Sequence, residues 1–600
     1  MKLSNCWSAD FETTTDENDC RVWAFSVCNI ENYNLFDYGK SIQEFFEWIL
    51  LHDRTNLKFW FHNLKFDGFY IISYLMNEGY VWVSSPKERK TKTFTTLITD
   101  MGQYYSITVY FKVKGHHVHK VTFYDSMKIF NFSVEAVAEG FNLPISKLEM
   151  DYDKYRPIGY EPDASELAYI KNDVEIMARA LKIMFEAGHT KMTIASDAMS
   201  DYKKRVVGFR RKFPKLTKSA DNDIRRSYRG GFTWVNDVCQ GKEVGKGICL
   251  DVNSLYPSVM RYELMPMSEP VVFEGKYDND PIYPLYVQTF CCKFEIKPGK
   301  IPSIQLKNNI SFIPNEYVKS SKCEVVELVL TKPDFELFME QYNVQDVEYL
   351  GGWKFMCSTG LFDDYVNHWI EEKIEAGKEH NAPRKLIAKT LLNSLYGRFA
   401  ISGDSTQKVP YLDADGIVKF MLEKQADRQL CYLPVATFVT SYGRCKTIRT
   451  SQAIRDFTLN KYGEDRYFYS DTDSIHANLS PEDLEELKDI IHIDDYKLGY
   501  WAKEAEFTRA MYIRQKCYIE EIDGKVEVTV AGLPKYLAPL VNFDNFKKGF
   551  TTANLTMDDM VRMAKENGAT DEEIRKLHHK LTYKYVKGGV ILKNTDFTIK

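Results

Sequence analysis

The sequence predicts an α/β protein of several domains, and three observations carry that prediction. At 600 residues the chain is too long for a single hydrophobic core. Short apolar, strand-like runs recur just ahead of acidic residues, at Cys6-Trp7-Ser8-Ala9, Ile248-Cys249-Leu250 and Tyr467-Phe468-Tyr469. Between them lie segments with apolar residues at helical spacing, from about residue 163 to 185 and from about 384 to 399. Hydrophobic content of 44% with 27% charged residues is that of an ordinary globular protein.

The same composition excludes several classes. The twelve cysteines form no Cys-x-x-Cys pair, which argues against a zinc site and a secreted disulfide framework. Asp10 and Glu12 interrupt any apolar leader, and apolar stretches such as Phe69 to Met76 are too short to span a bilayer. A reducing, cytosolic compartment and no membrane partner are therefore expected. His116, His117 and His119 lack partners at metal spacing and read as an exposed strand or loop. Gly241 to Gly247 has glycines and Lys246, but Gly247 stands where a phosphate-binding loop needs Ser or Thr. The net charge of −5 does not advertise nucleic-acid binding, yet it conceals basic runs at Lys87–Lys92, Lys203–Lys218 and Arg225-Arg226. Aromatic residues make up 14% of the chain, which large cores explain more readily than base-stacking platforms.

In chain order, the first chemistry-bearing element is Asp10-Phe11-Glu12, at the end of the strand pattern Cys6–Ala9. Its two acids share one face. His62-Asn63-Leu64-Lys65-Phe66-Asp67-Gly68 follows, ahead of an amphipathic run. The third element is a helix from about Asp163 to Phe185. Asp163 and Glu166 make a capping-box start, and Leu167, Ile170, Val174, Met177 and Leu181 form the buried stripe. Tyr169 and Asp173, four apart, share a face. Taken singly, an Asp-x-Glu is usually a turn and a helical Asp is usually solvated. Four acids on three elements, plus a tyrosine, match a two-metal phosphodiester hydrolase. In this order they resemble the 3′–5′ exonuclease domain of proofreading DNA polymerases. The resemblance implies metal binding by Asp10, Glu12, Asp67 and Asp173, water orientation by Tyr169, primer-end contacts from Asn63 and Phe66, and scissile-phosphate stabilisation by Lys147.

Further along, the strand Ile248–Leu250 delivers Asp251. The following turn, Val252-Asn253-Ser254-Leu255-Tyr256-Pro257, would aim backbone N–H groups at a phosphate chain. In the helix from about Arg384 to Phe399, Lys385, Lys389 and Asn393 recur at steps of four with Tyr396 three further on. One edge thus presents two cations, an amide and a ring, suited to a triphosphate and a base pair. Gly397 lets a bulky partner approach the backbone. Tyr469-Ser470-Asp471-Thr472-Asp473-Ser474 places two carboxylates two residues apart at a strand-to-turn junction, with the strand period putting both on one face. Such a pair repels itself unless a divalent cation lies between.

The strings DVNSLYP, KTLLNSLYG and YSDTDS, in that order, resemble motifs A, B and C of family B DNA polymerases. Tyr228-Arg229-Gly230-Gly231-Phe232, Thr440-Ser441-Tyr442-Gly443-Arg444 and Lys516-Cys517-Tyr518 narrow the resemblance to the protein-primed polymerases of small tailed bacteriophages, the phi-29 type. It spans nearly the whole chain. It implies an RNase H-like 3′–5′ exonuclease domain (1–193), followed by a right-hand polymerase. The polymerase would comprise a first part of the palm (194–262), a first insertion, terminal-protein region 1 (263–360), fingers (361–400), a second insertion, terminal-protein region 2 (401–432), a second part of the palm (433–530) and a thumb (531–600). In such enzymes the first insertion helps hold the priming terminal protein, and the second closes a ring round the DNA.

Also implied are Mg²⁺ ions, two per active site with Mn²⁺ as a substitute, held by Asp251, Asp473 and the Val252 backbone, with Asp471 in support. Nucleotide contacts would come from Val252, Ser254, Leu255, Tyr256, Lys385, Lys389, Asn393 and Tyr396, with Tyr256 excluding a 2′-OH. DNA contacts would come from Asn63, Phe66, Tyr228, Gly230, Gly231, Thr440, Arg444, Lys516 and Tyr518. The expected partners are primer-template and single-stranded DNA, deoxynucleoside triphosphates and a terminal protein, with the enzyme a monomer or a heterodimer with the last, in the host cytoplasm. Two departures from the pattern stand out: Cys517 in the Lys-x-Tyr motif, facing away from its neighbours if the segment is a strand, and a charged, helix-like stretch at 556–582. The rival reading is a 3′–5′ exonuclease whose C-terminal region only binds DNA. A primase-polymerase or reverse transcriptase would not account for Asp10-x-Glu12 or NSLYG.

Overall fold

The computed structural model describes residues 2–52, 56–114, 117–152, 154–306, 311–313, 316–425 and 431–600. His116, and residues 426–430 of the second expected insertion, lie outside the described residues.

The N-terminal part is built on an eight-stranded mixed sheet. Its order is Phe36–Gly39, Val22–Asn29, Cys6–Thr13, Lys58–Phe61, His117–Asp125, Tyr104–Lys114, Thr93–Ile98 and Val81–Trp82. Cys6–Thr13 runs antiparallel to Val22–Asn29 and parallel to Lys58–Phe61. It is covered on both faces, so its residues read as a nearly continuous buried run. The helix Ala164–Glu186 packs across these strands. It starts where expected, because the Asp163 side chain accepts from the Ser165 and Glu166 amides while Glu166 reaches back to the Asp163 N–H. The first strand runs through Thr13, so Asp10 and Glu12 lie near its end and share a face as expected. One expectation is corrected here. Asp67 does not precede a helix but lies in the first turn of one, Leu64–Asn77, which is buried on most of its faces rather than amphipathic. His117 is exposed at the start of its strand, and His119 stacks on Phe111.

The second half centres on a five-stranded sheet ordered Trp501–Phe507, Gly247–Val252, Ser474–Ala477, Tyr467–Asp471 and Thr233–Val235. The helix Leu433–Tyr462, buried along most of its length, backs this sheet. A four-stranded sheet between Met265 and Ser358, with the helix Lys332–Gln341, has its own aromatic core around Phe290, Phe294 and Phe338. Two helices, Asp363–Lys378 and Ala382–Phe399, pack side by side next to the main sheet. The hairpin Thr406–Leu412/Val418–Lys424 follows.

Beyond it, the strands Arg509–Arg514, Cys517–Ile522 and Lys525–Val530 form a second small sheet with Glu243–Val244. Cys517, Ile519 and Val530 share one core with Leu537, Leu540, Met560 and Phe597, so the boundary expected at 530/531 divides residues that pack together. The stretch 556–582 resolves into two short capped helices, Met557–Glu566 and Asp571–Arg575, before the strand Lys580–Val586 begins. Val418 and Val590, near the tips of two distant hairpins, insert into the aromatic core of the N-terminal part, so both hairpins pack against it.

Candidate active sites

The N-terminal cluster draws on the strand Cys6–Thr13 and on two helices. Asp10 and Glu12 alternate onto the face that meets the helix Ala164–Glu186, where Asp173 and Tyr169 lie one turn apart. Glu12, Asp67 and Asp173 are buried. Burial, with Asp173 beside it, pushes the Asp10 carboxyl up to about 7, and Lys147 partly offsets this. Burial followed by the neighbouring Asp10 lifts both Glu12 and Asp67 well above the carboxylate range. Lys147 Nζ donates to Asp173 Oδ2 at 2.5 Å and to the Tyr169 hydroxyl at 3.2 Å. Among the described residues no three of these carboxylates already close on one point. The donor set nonetheless suits a hard divalent cation. Oδ1 of both Asp67 and Asp173 is buried without a hydrogen-bond partner, and four oxygen-bearing acids face one another with Lys147 as a counter-charge.

Beside the cluster, Asn63 takes a left-handed backbone conformation (φ 76°) immediately before the helix that carries Phe66 and Asp67. Asp125 Oδ1 holds that corner, accepting from the amides of Asn63 (3.2 Å), Leu64 (3.4 Å) and Met127 (3.0 Å).

The second cluster sits at one end of the five-stranded sheet. Asp251 pairs with Ser474 on one side and Ala502 on the other. The strand Tyr467–Asp471 ends at Asp471, Thr472 is left-handed (φ 63°), and Ser474 opens the returning strand. Asp471 therefore ends a strand while Asp473 lies in the two-residue turn that follows, so they are not two residues of one strand sharing a face; this corrects the expectation. The turn divides their work. Asp471 Oδ1 accepts from Thr233 Oγ1 and from Lys516 Nζ, both at 3.1 Å, and Oδ2 from the Tyr469 hydroxyl at 3.2 Å. Asp473 turns toward Asp251, and its carbonyl accepts from the Val252 amide at 2.9 Å. Burial, then Asp473 and Glu504, raises the Asp251 carboxyl to about 7 against the pull of Lys389. Burial also raises Asp473, with Asp471 and Glu504 adding to it.

Around this turn, the Ser254 backbone is left-handed (φ 57°) and opens the helix Leu255–Tyr262. The Tyr256 ring lies 4.3 Å from that of Tyr396. Lys385, Lys389, Asn393 and Gly397 form an exposed row along the helix Ala382–Phe399, whose opposite side buries Ile387, Leu391, Leu395 and Phe399. Gly231 allows the chain to touch the turn that carries Asp473, since a Cβ there would come within 2.6 Å of Thr472. Tyr228 is half-buried and Gly230 exposed. The Tyr518 ring lies 5.1 Å from that of Tyr469, tilted 49° to it, while Cys517 points into the core on the other side of the strand.

Thr440 and Arg444, expected at a DNA surface, are instead buried. The Thr440 hydroxyl donates to the Ala436 carbonyl one turn back. Arg444 pairs with Asp334 at 2.5 Å and donates to the carbonyls of Arg229 and Gly230. Packing thus closes a groove-facing position to both, and Arg444 instead braces the Tyr228–Phe232 segment through those carbonyls.

Four site residues escaped the sequence reading. Tyr152 bonds the Tyr169 hydroxyl at 2.6 Å, and Asp125 fixes Asn63. Glu504 is the unpaired residue of a β-bulge opposite Cys249 and Leu250, and a bulge leaves no trace in alternation. Lys373, on the neighbouring helix, faces the same cleft as Lys385 and Lys389; burial and those two charges lower its pKa. Its partner row lies on another helix, so only packing reveals it.

Comparisons agree with this arrangement. Residues 52–491 match the family model described as DNA polymerase type B, organellar and viral. The DNA polymerase of Bacillus phage M2 is 41% identical over 614 aligned residues, covering 99% of each chain. The structure superposes on phi29 DNA polymerase complexed with primer-template DNA and incoming nucleotide substrates with a TM-score of 0.88, at 39% identity, over 99% of this chain and 100% of that one. It superposes on the same polymerase complexed with single-stranded DNA with a TM-score of 0.86, at the same identity and coverage. An aspartate-bearing hairpin turn beside Asp251, with a cationic helix edge across the cleft, in a chain similar end to end to phage DNA polymerases, means that the protein belongs to the type B DNA polymerases of the organellar and viral group.

Proposed function

We propose that this DNA polymerase starts synthesis on a protein primer, continues processively from DNA 3′ ends with displacement of the non-template strand, and proofreads through a separate 3′–5′ exonuclease site. The observation that carries the reading is the pair of carboxylate clusters on two different sheets, each with its own cationic and aromatic surroundings. The domain boundaries given above are part of the proposal, with 1–193 as the exonuclease and the hairpin within 401–432 closing round the DNA. Primer-template and single-stranded DNA, deoxynucleotides and a terminal protein would be its partners in the host cytoplasm. Among the described residues no helix is long and apolar enough to cross a membrane.

In the polymerase site Asp251, Asp473 and the Val252 carbonyl would hold Mg²⁺, and in the exonuclease site Asp10, Glu12, Asp67 and Asp173. When bound, the metal would make the attacking oxygen more nucleophilic and neutralise charge on the leaving one. The remaining steps belong to the chain. Lys385 and Lys389, with Lys373, bind and orient the triphosphate. The backbone of Val252, Ser254 and Leu255 presents the turn that receives it. Asn393 and Tyr396 line the base pair, and Tyr256 beneath the sugar excludes a 2′-OH. Lys516 and Tyr518 guide the primer strand toward Asp471, while Tyr228, Gly230 and Gly231 hold the template. In the second site Asn63 and Phe66 receive the 3′ end, Tyr169 orients the attacking water, and Lys147 stabilises the scissile phosphate.

Extension of a singly primed circular template with Mg²⁺ and four deoxynucleotides, without helper proteins, tests the reading. Products many times the circle length are expected. Products ending after one circuit would refute unaided strand displacement. Shortened primer alone would favour an exonuclease whose C-terminal region only binds DNA. Asp10→Ala with Glu12→Ala should abolish shortening and spare extension, and Asp473→Asn should do the reverse.

A further inference from the structure

The hairpin Lys580–Val586/Gly589–Thr595, at the far end of the chain, is locked onto the exonuclease part. A Cβ on Gly589 would fall 2.1 Å from the Tyr70 ring, and one on Gly588 (φ 91°) 2.5 Å from the Cys20 carbonyl, so this turn fits only as glycine. The Tyr70 hydroxyl donates to the Val590 carbonyl at 2.6 Å, and Tyr585 stacks on Phe69 at 4.4 Å. This docking places Tyr583 at the expected 3′-end pocket. Its hydroxyl accepts from Asn63 Nδ2 at 3.1 Å, its ring lies 6.1 Å from that of Phe66, and Lys65 Nζ sits 4.8 Å over its face. Lys128, and Lys408 of the 406–424 hairpin, lie near enough to Lys65 to interact with it electrostatically. The mouth of the pocket is therefore cationic and aromatic, as a single strand requires.

We propose that Tyr583 is a positioning residue of the exonuclease site, supplied by the C-terminal hairpin, which sets the Asn63 amide for the terminal nucleotide of a single-stranded 3′ end. Asn63 sits outside the helix it precedes, and its side chain makes no capping bond there. The phenol restrains that amide and keeps one proton free to donate toward an acceptor on the bound nucleotide. The inference rests on the exonuclease reading above.

The test measures degradation of a 5′-labelled single-stranded oligonucleotide with Mg²⁺. Tyr583→Phe keeps the ring and removes one hydrogen bond, so KM should rise about three- to tenfold with kcat unchanged. Combined with Asn63→Ala, Tyr583→Phe should add little, because both remove the same interaction. Tyr585→Phe, two residues along the same strand, should change nothing. An unchanged or lowered KM in Tyr583→Phe, or full additivity with Asn63→Ala, overturns the proposal and leaves the exonuclease standing. Wild-type enzyme that fails to shorten the oligonucleotide overturns the exonuclease reading instead.

Discussion

Replacing Asp334 by asparagine should damage the polymerase from a position outside both carboxylate clusters. Asp334 and Arg444 are 8% and 4% exposed, with Nη2 and Oδ2 2.5 Å apart, and Arg229 is buried beside them. Burial works against the Asp334 charge, but Arg444 and Arg229 outweigh it and hold the carboxyl below its usual range. Asparagine could still accept from Thr331 Oγ1, yet it would leave two buried guanidinium groups without a counter-charge. Breaking a buried pair in this way costs about 3–5 kcal/mol. In a cooperative unit of about 150–250 residues each kcal/mol moves the melting temperature by roughly 2–4 °C, which gives a fall of roughly 6–20 °C.

Activity should fail before the fold does. Arg444 Nη1 also holds the carbonyls of Arg229 and Gly230 at 2.7 and 2.8 Å, and Gly231 packs directly on Thr472 of the turn that carries Asp473. Thermal melting alongside primer extension well below the transition checks both points. A melting shift under about 2 °C with normal extension would refute the argument that this pair braces the site. The pH dependence has a definite sign. Because the folded carboxyl is depressed, its contribution is complete above the unfolded value of about 3.9 and is lost as pH falls through the folded one. Wild type and Asp334→Asn should thus stay apart from neutral pH to about 5 and converge below about 4.

Three further substitutions probe the polymerase cleft. Gly231→Ala forces a methyl to within 2.6 Å of Thr472; overpacking of about 1–3 kcal/mol at the turn should slow extension roughly tenfold or more, and normal single-nucleotide incorporation rates would contradict it. Lys373→Ala removes one of the ammonium groups clustered with Lys385 and Lys389 and, on the proposed triphosphate role, should raise the KM for deoxynucleotides about tenfold with little change in kcat; the same change in kcat alone would assign the lysine elsewhere. Tyr256→Val removes the ring packed 4.3 Å from Tyr396 and should raise ribonucleotide incorporation about tenfold or more, measured against the matching deoxynucleotide; unchanged discrimination would end the steric-gate assignment.

Local chemistry was legible in the chain because it is written in short spacings. The helix from Asp163 announced its own capping box, Tyr169 and Asp173 fell on one face, and Lys385, Lys389 and Asn393 form the exposed row that their steps of four imply. Such patterns depend on backbone periods of 2 and 3.6 residues, which any sequence displays. Where one residue broke the period, the reading broke as well. A left-handed Thr472 turned an apparent i, i+2 pair into a strand-end residue and a turn residue, and a bulge at Glu504 brought forward a carboxylate that alternation would have sent elsewhere.

Tertiary structure decided what meets across long separations. Thr440 and Arg444 carry polar groups that suit a DNA surface, but the core buried them, and Arg444 found its partner Asp334 110 residues away. Lys373 joins Lys385 and Lys389 only because two helices pack side by side. Tyr583 reaches Asn63 across 520 residues because a glycine turn fits against Tyr70. Residue type and spacing therefore specify which groups can do chemistry. Close packing, which no local period encodes, selects which of them are left facing the substrate and which are consumed in holding the others in place.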